Sequence, residues 1–213
     1  MNIEVNGASK TIRGARILVD VNLSLSSGHI YGLNGPNGSG KTMLLRLLAG
    51  LIRPTLGKVV VDGKILGEQM DFPESMGILI ENPAFLPNYT GLGNLKLLSA
   101  IRKTADTDQL RRAIIQVGLD PADPRKYRKY SLGMKQRLGI AAAICEKPEL
   151  LLLDEPTNSL DEEGTDQICG LLREERERGA LIVLASHDLE VLKSVSDTIF
   201  TVYDGKVKER EEQ

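Results

Sequence analysis

The sequence predicts an α/β fold in which a mostly parallel sheet is covered by helices. Continuous apolar runs, such as Leu150–Leu153 and Leu181–Ala185, are typical of strands that are buried on both faces. Helical patterns alternate with these runs, as they do in parallel βαβ units. The chain has 213 residues, of which 41% are hydrophobic and 26% are charged, which is the size and composition of one globular unit. We therefore expect a single domain over residues 1–213.

The N-terminal part is predicted to combine several strands with one helix. Val21, Leu23 and Leu25 alternate with polar residues, which indicates a strand. Asp62-Gly63 is a dipeptide that favours a tight hairpin turn. The further predicted elements are a strand at Ile30–Leu33, a helix at Lys41–Ala49, a hairpin at Lys58–Leu66 and a strand at Gly77–Ile80. We expect the first strands to form a small antiparallel addition to the sheet.

Residues 83–146 are predicted to be mainly helical and to be inserted into the α/β core. Thr90 and Asp106 are residue types that cap the N-termini of helices, and a helical period that ends at Gly118 follows Asp106. The elements predicted after the insertion are the strand Leu150–Leu153, a helix at Asp161–Arg178, the strand Leu181–Ala185, a short helix capped by Asp188, and a closing hairpin of Thr198–Tyr203 and Lys206–Val207.

Charge and composition exclude several classes of protein. Lys plus Arg number 27 and Asp plus Glu 29, so the net charge of −2 provides no general attraction to nucleic acid, and we expect no nucleic-acid partner. The N-terminus has no apolar signal region and the apolar runs are too short to span a bilayer, which predicts a cytoplasmic protein. Cys145 and Cys169 are expected to be buried, reduced thiols. The charged end Lys206–Gln213 is expected to carry no regulatory domain.

A glycine-rich loop lies between a predicted strand and a predicted helix. It follows the G-x-x-x-x-G-K-[ST] pattern and consists of Gly35, Pro36, Asn37, Gly38, Ser39, Gly40, Lys41 and Thr42. Glycines let the backbone bring several N–H groups together, and these groups and the helix N-terminus form an anion site. Lys41 is expected to reach the β- and γ-phosphates of a nucleotide, and the Thr42 hydroxyl to hold Mg²⁺. An incidental turn before a helix is the less favoured interpretation.

Two other strand ends carry residues suited to nucleotide chemistry. Asp154 and Glu155 follow the strand Leu150–Leu153, and the carboxyl ends of parallel strands open toward the ligand crevice. Asp154 is predicted to act on Mg²⁺, and Glu155 to polarise the attacking water as general base. An acidic pair at a helix start is the alternative. His187 follows the next buried strand, where it is predicted to contact the γ-phosphate, although a lone histidine is more often structural.

In their order along the chain, these motifs resemble the nucleotide-binding domain of ATP-binding cassette (ABC) transporters, which are P-loop NTPases with a RecA-like core. The matching segments are Gly35–Thr42 for Walker A, Glu81 at the position of the Q-loop glutamine, Ser131–Arg137 for the signature motif, Leu150–Asp154 for Walker B, Glu155 for the glutamate after it, Ser159–Asp161 for the D-loop and His187 for the switch histidine. Asn2–Ser26 resembles the family's opening β-segment.

The resemblance implies an ATPase that uses ATP and Mg²⁺. It also implies a head-to-tail dimer, in which Ser131 and Gly133 of one copy cap the γ-phosphate that Lys41 of the other copy holds. Such a subunit works on a separate integral-membrane permease and lies at the inner face of the cell membrane. The segment Glu81–Leu95 is then expected to face the permease, the alternative being a solvated loop.

The chain departs from the family pattern at five positions. Leu132 and Met134 replace the glycine and glutamine of the signature motif. Glu81 adds a negative charge where the family has glutamine, and we assign it to the metal side of the site. Met43 replaces a hydroxyl residue that would bind the α-phosphate. Ile12 stands where an aromatic residue would stack on adenine, so weaker base discrimination is expected.

Residues 81–90 resemble a bacterial branch whose free-standing ATPase subunits serve the export of antibiotics or lantibiotics, in the style of bacitracin-resistance transporters. The favoured function is therefore a transport ATPase. The alternative is a soluble ABC-type ATPase that acts as a conformational switch on a non-membrane complex, but the chain has no second cassette, long coiled coil or basic arm. A third interpretation, a cassette without turnover, is disfavoured because Glu155 and His187 are both present.

Overall fold

A four-stranded antiparallel sheet flanks the central sheet in the computed structural model, which describes residues 1–102 and 105–210. Its strands are β1 (Asn2–Ile12), β2 (Ala15–Ser26), β4 (Leu56–Val61) and β5 (Lys64–Ile65), in the order β2-β1-β4-β5. Asp62 and Gly63 have φ values of 47° and 80°, as a two-residue hairpin turn requires. The predicted antiparallel addition is confirmed. Predictions for the insertion and the charged end fall partly on residues 103–104 and 211–213, which lie outside the described residues.

The central sheet has six strands, five of which are parallel. They are β3 (His29–Asn34), β6 (Met76–Leu79), β7 (Leu150–Asp154), β8 (Leu181–Ser186), β9 (Thr198–Tyr203) and β10 (Lys206–Glu209), in the order β10-β9-β3-β8-β7-β6. Only the edge strand β10 pairs antiparallel, with β9. The apolar runs of β7 and β8 are buried on both faces, because helices cover both sides of the sheet. The predicted α/β fold is confirmed.

Six helices complete the described part of the chain. They are α1 (Lys41–Leu48), α2 (Gly91–Arg102), α3 (Thr107–Gln116), α4 (Leu132–Ile144), α5 (Glu162–Glu177) and α6 (Leu189–Val195), and a 3-10 turn lies at Tyr127–Lys129. Three of them lie between β6 and β7, where the sequence predicts a helical insertion. The side chains of Asp106, Asp161 and Asp188 cap α3, α5 and α6. No helix within the described ranges is long and apolar enough to cross a membrane.

Two apolar clusters fill the space on the two faces of the central sheet. Leu151 and Leu153 belong to the cluster beneath the insertion and α5, whereas Leu150 and Leu152 belong to the cluster beneath α1. The alternating residues of β7 therefore pack into two different clusters, and a one-residue slip of the register would exchange the side chains between them. Cys145 and Cys169 are free, buried thiols, and burial raises the pKa of Cys145 to about 11, so it stays protonated at neutral pH.

Candidate functional site

The loops that follow β3, β7 and β8 meet at one edge of the central sheet. The parallel register places Asn34 beside Ser186 and Asp154 beside Ala185. The chain therefore leaves all three strands at the same level, and the residues that follow can converge. Parallel sheets bind ligands at this carboxyl edge.

The predicted phosphate-binding loop is a strongly curved segment of the chain. Gly38 and Gly40 have φ values of 80° and 113°, a conformation that side chains disfavour. No side chain caps α1, and its first turn has no acidic residue, so its N–H groups remain free for an anion. The Ser39 hydroxyl is buried and has no hydrogen-bond partner among the described residues. These features fit a bound phosphate group.

The turn between β9 and β10 packs against this loop and is hydrogen-bonded to it. Gly205 donates its N–H to the Ser39 carbonyl at 3.0 Å, and its own carbonyl accepts from Val19 at 2.8 Å. A Cβ atom on Gly35 would lie 2.1 Å from the Val202 carbonyl oxygen, so glycine is needed for the close approach. Gly205 is not among the site residues predicted from the sequence. The Asp204-Gly205 dipeptide indicates a turn, but nothing local shows that the turn packs under the loop.

Three polar side chains are held at this edge of the sheet by hydrogen bonds, namely those of Lys41, Thr42 and Asp154. The buried Lys41 ammonium donates to the carbonyls of Gly35 and Pro36, at 2.6 and 3.3 Å. The Thr42 hydroxyl donates to Asp154 Oδ2 at 2.6 Å. Burial raises the pKa of the Asp154 carboxyl, and the hydrogen bond from Thr42 opposes that shift.

A hydroxyl beside a carboxylate supplies the oxygen ligands that Mg²⁺ prefers. The described residues contain no cluster of three or more His, Cys, Asp or Glu side chains that could hold a metal ion alone. That agrees with the usual binding of Mg²⁺ through one or two protein oxygens, with phosphates and waters as its other ligands. The Thr42–Asp154 pair therefore fits Mg²⁺ bound together with a nucleotide.

Glu155 and His187 are in direct contact. Glu155 Oε1 accepts from the backbone N–H of His187 at 3.0 Å, and Oε2 lies 2.9 Å from His187 Nδ1. Lys41 Nζ is 3.9 Å from Glu155 Oε1, which links this pair to the phosphate loop. Glu155 has a positive φ of 47°, which is uncommon for a residue with a side chain. The structure thus brings together both predicted catalytic residues and the loop lysine.

Gln136 is not among the predicted site residues, yet its side chain contacts the backbone of Glu155. Its buried side-chain amide donates to the carbonyls of Glu155 and Pro156, at 2.9 and 3.2 Å. Its position five residues after Ser131, within the segment that resembles the signature motif, is a sequence signal for a role in the site. Its hydrogen-bond partners are visible only in the tertiary structure.

Ser131 and Gly133 lie at the start of α4. The Ser131 hydroxyl accepts from the Met134 N–H at 3.2 Å and so caps the helix. A Cβ atom on Gly133 would lie 2.9 Å from the Ser159 carbonyl oxygen, so the helix start packs against the loop after β7. Leu132 is 72% exposed. Neither Ser131 nor Gly133 shares a hydrogen bond with Lys41 within the described part of one chain.

Ile12, Met43 and Glu81 lie at the margins of the site. Ile12 ends β1 and is 40% exposed, so its apolar side chain is open to a ligand. Met43 packs against the apolar cluster under α1. Glu81 Oε1 pairs with Arg46 Nη2 at 2.5 Å, whereas the Thr42 hydroxyl binds Asp154. Glu81 therefore meets a cation on the flank of α1 rather than the Thr42–Asp154 pair.

Comparisons with known proteins agree with this geometry. Residues 18–158 match the family described as ABC transporter. The chain is 45% identical over 209 residues to YybJ, an uncharacterized ABC transporter ATP-binding protein of Bacillus subtilis, with 98% of this chain and 96% of YybJ covered. It is 38% identical over 209 residues to BcrA, the bacitracin transport ATP-binding protein of Enterococcus faecalis, with 97% and 68% covered.

The fold is also similar to that of a solved structure. The dimeric structure of MJ0796, a bacterial ABC transporter cassette, superposes with a TM-score of 0.88 over 99% of both chains, at 24% sequence identity. This likeness confirms the fold, and the sequence matches confirm the predicted resemblance. The chain therefore belongs to the ABC transporter family, as one of its ATP-binding proteins.

Proposed function

We propose that this ATP-binding protein hydrolyses ATP with Mg²⁺ and so powers the export of an antibiotic or peptide through a separate membrane permease. One observation carries the chemical part of the proposal. Lys41 and the Thr42–Asp154 pair lie at the same sheet edge as the Glu155–His187 pair. The site thus holds the residues for binding phosphate and metal beside a candidate base.

The phosphate loop and its lysine bind and orient the nucleotide. The loop N–H groups and Lys41 provide positive charge for the β- and γ-phosphates, while Thr42 and Asp154 provide oxygen ligands for Mg²⁺. Mg²⁺ supplies charge neutralisation at the phosphate oxygens. Ile12 offers an aliphatic face for the base, which supports binding without strong base selectivity.

Glu155 is the proposed general base. Water attacks the γ-phosphorus, its proton passes to the Glu155 carboxylate, and the bond between the γ-phosphorus and the bridging oxygen breaks to release ADP and phosphate. His187 holds the carboxylate through its backbone N–H and its ring nitrogen. A contact of His187 with the γ-phosphate is part of the proposal. Positioning and charge supply most of the rate enhancement in such reactions.

The transport part of the proposal includes two partners. A second copy of the chain supplies Ser131 and Gly133 to the nucleotide, which fits the finding that neither residue shares a hydrogen bond with Lys41 within the described part of one chain. A permease would place the protein at the inner face of the cell membrane. Leu86 and Tyr89 are exposed apolar residues in the segment expected to face it. The bacitracin transport relative supports transport over a switch on a non-membrane complex.

Replacing Glu155 tests the catalytic assignment. We expect Glu155→Gln to lower phosphate release by about two orders of magnitude or more, since general-base catalysis is lost. ATP affinity should stay within about threefold, because the loop and the Thr42–Asp154 pair are unchanged. Phosphate release and calorimetric ATP binding would be measured on the same preparations.

Glu149→Gln is the matched control, since Glu149 is an exposed glutamate just before the opposite end of β7. Its turnover should equal that of the parent protein. Undiminished turnover in Glu155→Gln would remove Glu155 from the mechanism.

A further inference from the structure

Arg46 and Glu81 form an ion pair beside the proposed nucleotide site. Arg46 lies one turn after Thr42 on the same face of α1, because residues four positions apart face the same way. Glu81 follows β6, which neighbours β7 in the sheet with Leu79 level with Leu153, so Glu81 and Asp154 lie at the same edge of the sheet. Arg46 Nη2 donates to Glu81 Oε1 at 2.5 Å, and Arg46 Nη1 lies 3.9 Å from Met43 Sδ.

The position of Glu81 creates an electrostatic problem for nucleotide binding. Glu81, Asp154 and Glu155 bring three carboxylates to the edge where the polyphosphate would bind. Because Arg46 and Glu81 are both partly exposed, their ion pair contributes little to folding stability. Its effect is therefore expected in ligand binding.

We infer that Arg46 is a positioning residue that holds the Glu81 carboxylate against α1 and offsets its charge, which keeps a glutamate at this position compatible with a bound polyphosphate. The inference rests on the proposed function and adds a specific partner to the site. It also replaces direct metal binding as the role of Glu81, because the carboxylate is engaged by a guanidinium.

A double-mutant cycle tests this inference. The Kd of ATP would be measured by calorimetry in EDTA, so that no metal is needed, with Glu155→Gln as the common background. Arg46→Gln should raise the Kd about three- to tenfold, because the freed Glu81 charge repels the phosphates. Arg46→Gln combined with Glu81→Gln should bind within about twofold of Glu81→Gln alone. Arg46→Lys, which keeps the positive charge, should retain most of the affinity.

Arg53→Gln is the matched control, because Arg53 pairs with Asp71 at a more exposed position. It should leave the Kd unchanged, and all variants should keep the parent's thermal unfolding midpoint. If Arg46→Gln costs the same affinity whether Glu81 is kept or replaced, Arg46 binds phosphate itself, and the inference is overturned. An unchanged Kd in Arg46→Gln would overturn it too. A background protein that binds ATP neither in EDTA nor with Mg²⁺ would instead refute the proposed function.

Discussion

Gln136 shows how one side chain can position the proposed catalytic glutamate. Glu155 has a positive φ, so its backbone needs support on both sides. Its N–H donates to the Ala185 carbonyl at 2.8 Å, and its carbonyl accepts from the Gln136 amide at 2.9 Å. Because Gln136 and Ser131 are both on or next to α4, the same element holds Glu155 and presents the signature-like residues.

Removing the amide of Gln136 should lower turnover without weakening ATP binding. We expect Gln136→Met, which keeps the length but donates no hydrogen bond, to reduce kcat about ten- to hundredfold, since small misplacements of reacting groups are costly. The KM for ATP should change less than about threefold. Steady-state kinetics would measure both values. Gln116→Met on the exposed end of α3 is the control, and a rise in KM at unchanged kcat would contradict a positioning role.

At the scale of elements, the C-terminal end of α5 is anchored to the segment before β7. Arg178 donates twice to the Glu175 carboxylate, at 2.8 and 2.6 Å, and once to the Pro148 carbonyl at 2.6 Å. Glu175 is buried, so its charge depends on this partner. The interaction joins α5 to the start of the strand that carries Asp154.

Breaking this anchor should destabilise the fold more than it affects the site. We expect Arg178→Met to lower the free energy of unfolding by about 1–3 kcal/mol, less than a fully buried pair would lose because Arg178 is partly exposed. Urea unfolding followed by circular dichroism would measure it. Adding Glu175→Gln to this variant should recover part of the loss. A single variant as stable as the parent would show that the pair is energetically unimportant.

At the scale of the whole molecule, we propose that a second copy of the chain completes the active site. Lys41 and Glu155 lie on one side of this site, whereas Ser131 and Gly133 lie at the start of α4, where Gly133 packs against Ser159. Leu132 is largely exposed beside them, as a residue that meets a second chain would be. Binding of ATP to the phosphate loop of one copy is therefore expected to favour its association with a second copy.

A turnover-deficient protein should reveal that association. We expect Glu155→Gln to change from one chain to two when ATP and Mg²⁺ are added, because the bound nucleotide supplies contacts for both copies and is no longer hydrolysed. Light scattering would give the molar mass with and without nucleotide. The same protein with ADP is the control and should stay a monomer. A monomer that binds ATP with Mg²⁺ would contradict a dimer assembled from this chain alone.

Much of this molecule can be derived from contiguous stretches of its sequence. The phosphate loop is recognisable because its glycines, lysine and threonine occupy eight successive positions, Gly35–Thr42. Several strands and helices follow from the pattern of their apolar residues, and the helix starts at Asp106, Asp161 and Asp188 follow from local capping. Such signals involve residues that are close together in the chain, so they can be recognised without knowledge of the fold.

The finer organisation of the site depends on contacts between residues that are distant in the chain. Arg46 and Glu81 are 35 positions apart, and Gln136 lies 19 positions before Glu155. Gly205 reaches Ser39 only because β9 and β3 are neighbours in the sheet. Sequence patterns report which face of an element is buried, whereas the pairing of polar groups depends on how the elements pack, and that packing is determined by the whole core at once.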